Sequence, residues 1–339
     1  MTTTHVGGRR PRTRRDRSDE QPVPEAEFTS YYGRQVVKPA PWDVRIPLYM
    51  FAGGVAAGSS LLAAGAQLTG RPALRQAGRL TAAGALAVSL GALVSDLGRP
   101  ERFLNMLRTV KLTSPMSVGT WLLSLYGAPA GIVALDEMVR LTPLDSRAVQ
   151  LLRTVSGPTG VLAALTAPPV AAYTAVLLSD TSTPTWKAAY RELPFVFCAS
   201  AAAASGGMAM VTTPAAQAGP ARRLAAAGAV VELVAERVME RSMGIMAEPL
   251  HTGAGGRYMR AAKALTAAGA LGALLGGRRR WVGVLGGVAL AAGSFCTRMG
   301  VFEAGQASAR DPKYTVVPQR ERVDRGEEVR FTPRGEGQR

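Results

Sequence analysis

The chain has 339 residues, a net charge of +16 and a mean hydropathy of only +0.09. Charged side chains make up 19% of it, below the roughly 25% of an ordinary globular domain, and 29 of the 64 lie in residues 1–45 and 304–339. The Ala-, Gly- and Leu-rich block between these ends carries charge-free stretches of 24 to 29 residues, which argues against a soluble enzyme, a disulfide scaffold and a nucleic-acid-binding module.

Residues 1–45 read as a polar, basic tail without a packed core, expected to be disordered. Arg14-Arg15 is not followed by an apolar run until residue 46, so it does not read as a twin-arginine signal. A basic tail of this kind suits water near anionic lipid better than nucleic acid.

The stretches 46–69, 112–135, 154–179 and 193–221 contain no Asp, Glu, Lys or Arg, and about 20 apolar residues suffice to cross a bilayer as a helix. Shorter runs at 80–95, 264–277 and 281–297 reach full length because flanking Lys and Arg snorkel. With one further segment the pattern predicts an all-α, polytopic membrane domain over 46–303. Its eight helices fall at about 46–69, 76–97, 115–138, 150–178, 190–213, 218–243, 258–277 and 281–303. A soluble bundle of buried Ala-rich helices is the alternative, but 154–179 and 193–221 offer water no polar face. Residues 304–339 form a second polar, disordered tail.

Eight spans place both termini on one side, here the tail side, with the 2–3, 4–5 and 6–7 loops. Near the membrane that side carries sixteen Lys and Arg against eleven opposite, Arg71, Arg75, Arg79, Arg222 and Arg223 among the latter. The bias puts the tails in the cytoplasm of a bacterial inner membrane. Gly54 and Gly58 are spaced for close helix approach. Pro168-Pro169 interrupts span four and Pro194 sits early in span five; such breaks hint at a cavity, though packed kinks are the commoner outcome. The two histidines, His5 and His251, lie outside the spans, and the two cysteines, Cys198 and Cys296, lie in different ones. That inventory provides no haem ligands, no iron–sulfur site and no zinc set. The glycine-rich His251–Arg257 run lacks nucleotide-loop spacing and reads as a turn.

The most informative segment joins spans two and three: Asp96-Leu-Gly-Arg-Pro-Glu-Arg-Phe-Leu-Asn-Met-Leu-Arg108, then Thr113-Ser-Pro-Met-Ser-Val-Gly-Thr-Trp121. Asp96 ends a span among Arg99, Glu101 and Arg102, and Ser114-Pro115 is a helix start with Ser as N-cap. Here the chain resembles the NrfD/PsrC family, membrane subunits of polysulfide-reductase-like complexes. Trp42–Gly58 and Tyr173–Leu178 are similar to it as well, and Phe302–Tyr314 resembles the actinobacterial, formate-dehydrogenase-associated branch. The resemblance covers about 42–303. It implies an eight-helix subunit that binds a quinone or quinol, menaquinone or ubiquinone. It also implies electron exchange with a ferredoxin-like iron–sulfur subunit that serves a molybdopterin oxidoreductase. Where the family has a histidine at the start of span one this chain has Tyr49, and Ile46 stands in place of an asparagine.

Odd spans start and even spans end on the tail side, so Trp42, Tyr49, Asp96, Ser114, Trp121, Tyr173, Arg298 and Glu303 fall in one leaflet. A quinone headgroup needs an apolar slot, a few hydrogen-bond partners and a proton source. Tyr49 or Tyr173 can donate to a carbonyl, Asp96 can exchange protons with Arg99 beside it, Ser114 opens a helix toward the site, and Trp121 can wall the ring. The plainer roles are interfacial anchoring for Tyr and Trp and a structural ion pair for Asp96 with Arg99 or Arg102.

In span six, Glu232, Glu236 and Glu240 recur at i, i+4 and i+8 with Arg237 and Arg241 beside them. Ionisable groups within a span are costly. The stripe reads either as a proton path to the quinone site or as buried ion pairs, for example with Arg298. An ion-translocating or transporter subunit using these carboxylates, and a purely structural anchor, are the competing functions.

Overall fold

Charge-free runs become helices because in hydrocarbon a segment must satisfy its own backbone hydrogen bonds. The computed structural model describes residues 35–97, 100–277 and 279–326, and within them all side chains except those of residues 100 and 102–104. Eight long helices fill these segments: α1 (Arg45–Leu68), α2 (Pro72–Asp96), α3 (Pro115–Val139), α4 (Arg147–Ser179), α5 (Leu193–Thr212), α6 (Gly219–Ser242), α7 (Gly253–Leu275) and α8 (Arg280–Arg310). At 1.5 Å per residue the shortest is about 30 Å long, the thickness of a bilayer core. Six of them are long and apolar enough to cross a membrane; α6 and α7 have the length but are not apolar enough by the same measure.

Local signals set several ends. Ser114 caps α3 by accepting from the Ser117 N–H, with Pro115 in the first turn, and Ser146 caps α4 through the Val149 N–H. The expected interruption at Pro168-Pro169 does not occur. Helix α4 runs unbroken through Pro158, Pro168 and Pro169, since leaving the helix would orphan more backbone groups than the prolines do. Pro194 sits harmlessly in the first turn of α5.

Helices α1–α4 pack against one another as one four-helix bundle, and α5–α8 as a second. The bundles meet where α1 lies against α5 and α8, and α4 against α5. Small residues allow that approach: a Cβ on Gly58 would fall 2.2 Å from Ser205 Oγ of α5, as the glycine spacing predicts. Helices α7 and α8 touch through glycine on both sides, where a Cβ on Gly272 would fall 2.6 Å from the Gly286 Cα.

Helix α6 is inside out relative to a soluble helix. Val230, Val231, Val234 and Val238 are exposed, while Glu232, Glu236 and Glu240 are buried. Only a lipid exterior makes that arrangement favourable.

Two expectations differ from the structure, one at the end of the chain and one inside the first bundle. The tail expected from 304 onward is helical as far as it is described: α8 continues to Arg310 and α9 (Lys313–Asp324) follows. Its polar groups find partners in the protein. Gln306 Nε2 donates to the Ala40 carbonyl at 2.9 Å, Ser308 Oγ accepts from the Thr185 N–H, and Lys313 Nζ lies 2.6 Å from Glu248. Arg79, counted above as a boundary arginine, is buried inside the first bundle. It lies 3.1 Å from Glu137 and 3.3 Å from Asp136 and donates to Ser156 Oγ, with Arg75 and Arg140 completing the cluster.

Candidate functional site

At the tail-side end of the first bundle the four helices diverge around a cavity of about 540 Å³, within the range of small-molecule sites. Leu90, Leu93 and Leu123 are part of its apolar wall, and Met106 and Leu107 of the 3-10 segment Pro100–Arg108 cover one side. Pro41 and Trp42, on the entry to α1, close another. Trp42 is held by stacking on Trp186 of the short helix Pro184–Ala188, with ring centroids 5.8 Å apart. Trp186 in turn donates to the Val301 carbonyl of α8 at 2.7 Å. One wall of the cavity is therefore braced by the second bundle.

Polar groups in this lining are few. Thr120 and Ser124 face it, but their hydroxyls donate to carbonyls of their own helix at 2.9 Å. Tyr49 of α1 and Tyr173 of α4 meet deeper in, with Tyr49 donating to the Tyr173 hydroxyl at 3.1 Å. That direction leaves the Tyr173 O–H to donate elsewhere. Tyr173 fits only because residue 119 has no side chain: a Cβ there would fall 2.0 Å from its ring. Ser89 Oγ fixes α2 to α1 beside the pair by donating to the Tyr49 carbonyl at 3.0 Å.

Asp96, the last residue of α2, lines the same cavity with its side chain 15% exposed. Its cation is Arg45 at the start of α1, 3.8 Å away. Arg45 also grips Asp43 at 2.7 Å and donates to the Ser95 carbonyl. That guanidinium holds the Asp43 carboxyl below the usual range, chiefly through their side-chain hydrogen bond. Of the cations expected to flank Asp96, Arg99 lies outside the described residues and the Arg102 side chain is not described. Arg45 was legible in principle, since a hairpin of spans one and two sets the start of the first beside the end of the second.

Two expected site residues lie elsewhere. Trp121 is 40% exposed on the outer face of α3, where its indole donates to the Thr109 carbonyl at 3.3 Å. It does not wall the cavity, because its position on the helix turns it toward lipid. Ser114 caps α3 and lines a separate shallow depression with Ser117 and Lys111. The structure thus brings together Tyr49, Tyr173 and Asp96, and leaves Ser114 and Trp121 to shape the loop above them.

The glutamate stripe lies in the second bundle. Thr297 donates to Glu232 Oε1 at 2.8 Å, while Glu232 Oε2 and Glu236 Oε2 are buried without a partner. Glu240 reaches Lys263 at 2.5 Å and lies 3.9 Å from the half-exposed His251. Arg298 is wholly buried nearby, but its hydrogen bonds go to Ser294 and the Phe197 carbonyl. Among the described residues no ion pair joins it to the glutamates. Its guanidinium rests on α1, where a Cβ on Gly54 would fall 3.2 Å from Nη2. The stripe therefore runs from the tail-side surface at His251 inward to Thr297 of α8, whose neighbour Arg298 reaches α1 at Gly54, five residues beyond Tyr49. Among the described residues no three His, Cys, Asp or Glu side chains gather as a metal site.

The family model described as "Polysulphide reductase, NrfD" matches residues 34–251, which include every cavity-lining helix. No curated protein matches the chain.

Proposed function

The chain belongs to the NrfD family, membrane subunits of quinone-reactive oxidoreductase complexes, and from that premise we propose that it holds a quinone or quinol headgroup in the cavity between α1, α2, α3 and α4. The observation that carries this reading is chemical: an apolar slot with a phenol pair inside and one carboxylate at its edge. The polar groups suit a ring with two carbonyl oxygens, and Gly119 leaves room for the phenol beside it. A bound quinone supplies two-electron, two-proton chemistry, which no side chain here provides.

The residues of the chain do the rest. Tyr173 donates a hydrogen bond to a carbonyl and Tyr49 orients it. Asp96 takes or gives a proton at the tail-side edge, with Arg45 fixing where its charge sits. Leu90, Leu93 and Leu123 exclude water from the ring. Arg99 belongs to this proposal as a second cation near Asp96, on its place in the sequence alone. Menaquinone and ubiquinone both satisfy this chemistry.

Protons reach the site by two routes in this proposal. Asp96 serves the open edge, and Glu232 with Glu236 forms an inner path fed from His251 and Glu240. The unpartnered carboxylate oxygens support it, because a buried acceptor left open is costly unless it is used. We assign the electron partners as a ferredoxin-like iron–sulfur subunit and a molybdopterin oxidoreductase of formate-dehydrogenase or polysulfide-reductase type. Both tails lie in the bacterial cytoplasm in this assignment.

Quinol-linked turnover of the assembled complex tests it. Tyr49→Phe and Asp96→Asn should each lower kcat by about tenfold or more, since positioned acid–base groups contribute 10²–10⁴-fold, while the partner subunits still co-purify. Full turnover in both variants contradicts the assignment.

A further inference from the structure

A second crevice lies at the other end of the molecule, on the seam between the bundles. It has a volume of about 310 Å³ and opens where α1 ends and α6 begins. Leu61, Leu62 and Leu224 give it an apolar side, and Leu61 is 43% exposed where hydrocarbon would lie. Arg71 and Arg223 give it a cationic side. Neither arginine forms an ion pair among the described residues, and the Arg71 Nε is buried without a hydrogen-bond partner. Helices α2 and α6 both start here, each with a proline in its first turn and no side-chain N-cap. Gln217 of the loop before α6 accepts from the Ala73 N–H at 2.9 Å and ties the two starts together. Two uncompensated guanidiniums beside two positive helix ends make an anion site. The adjoining leucines make it a site for an anion that carries acyl chains.

We propose that Arg71 and Arg223 bind the phosphodiester of an anionic phospholipid, whose chains lie along Leu61, Leu62 and Leu224. The lipid would fill the seam between α1 and α6 on the face remote from the quinone cavity. It therefore does not depend on the function proposed above. Arginine forks match phosphate oxygens in pairs, and each basic residue near a membrane surface strengthens such binding severalfold.

The experiment is native mass spectrometry of the full chain after exchange into phosphatidylcholine nanodiscs doped with phosphatidylglycerol. The wild type should retain phosphatidylglycerol, and Arg71→Lys/Arg223→Lys, which keeps the charges but not the forks, should retain more of it than the Gln pair. Arg71→Gln/Arg223→Gln should retain roughly thirtyfold less than the wild type, from two surface charges. Arg147→Gln, on the same face but outside the crevice, should match the wild type, and excess inorganic phosphate should leave the lipid in place. Equal retention by the Gln pair overturns the proposal, as does an equal loss in Arg147→Gln. Displacement by phosphate alone would show a general anion site and would overturn it too.

Discussion

Gly119 shows how one absent side chain shapes the site. The Tyr173 ring occupies the space its Cβ would need, at 2.0 Å, so Gly119→Ala must push the phenol off Tyr49 or open α3 from α4. Overpacking of this kind costs about 1–3 kcal/mol. If most of it falls on the bound state, the KM for quinol should rise about tenfold per 1.4 kcal/mol. Steady-state kinetics on the assembled complex would show it, and an unchanged KM would mean that Tyr173 does not position the ring. The sequence shows Gly119 only as one small residue among the 38 glycines of the chain. What singles it out is an aromatic ring from another helix, and nothing local records that. Trp121 is the converse: two residues further along the same helix, it faces outward. On a helix apolar all round, hydropathy does not say which face meets protein and which meets lipid.

Helix limits were far more legible than helix faces. Span six, expected at 218–243, is Gly219–Ser242, and span one, expected at 46–69, is Arg45–Leu68. Flanking charges mark those ends directly. The expected end of the last span at 303 falls short of Arg310, because Gln306 Nε2 and Ser308 find partners in the protein rather than in water. The same failing hid the Arg79 cluster. An arginine near a span end looks like an interfacial residue until Asp136 and Glu137 of α3 are placed beside it. Removing one partner of a buried ionic cluster costs about 3–5 kcal/mol. Arg79→Ala should therefore lower the thermal midpoint sharply, and adding Asp136→Asn and Glu137→Gln should recover part of the loss. Midpoints equal to the wild type would mean that the cluster is hydrated. In α6, Glu236→Gln should lower kcat with little change in KM, whereas Glu236→Asp, which keeps a titratable group, should retain most of the rate. Equal kcat in wild type and Glu236→Gln would assign the stripe to packing.

Taken as a whole, the molecule separates its tasks between two bundles. The first holds the cavity at its tail-side end and the Arg79 cluster toward the other; the second holds the glutamate stripe and braces Trp42 through Trp186. The bundles meet along glycine-lined contacts such as Gly58 on Ser205, so they move as one body or separate only at the cost of that packing. The central claim is that the quinone headgroup sits in the first bundle, between Tyr49, Tyr173 and Asp96. Photolabelling of the assembled complex with an azidoquinone, followed by peptide mapping, tests it most directly. The account predicts label on residues 41–49, 90–97, 106–128 and 173–177, lost in competition with unlabelled quinol. Competable label confined to α5–α8 would contradict it.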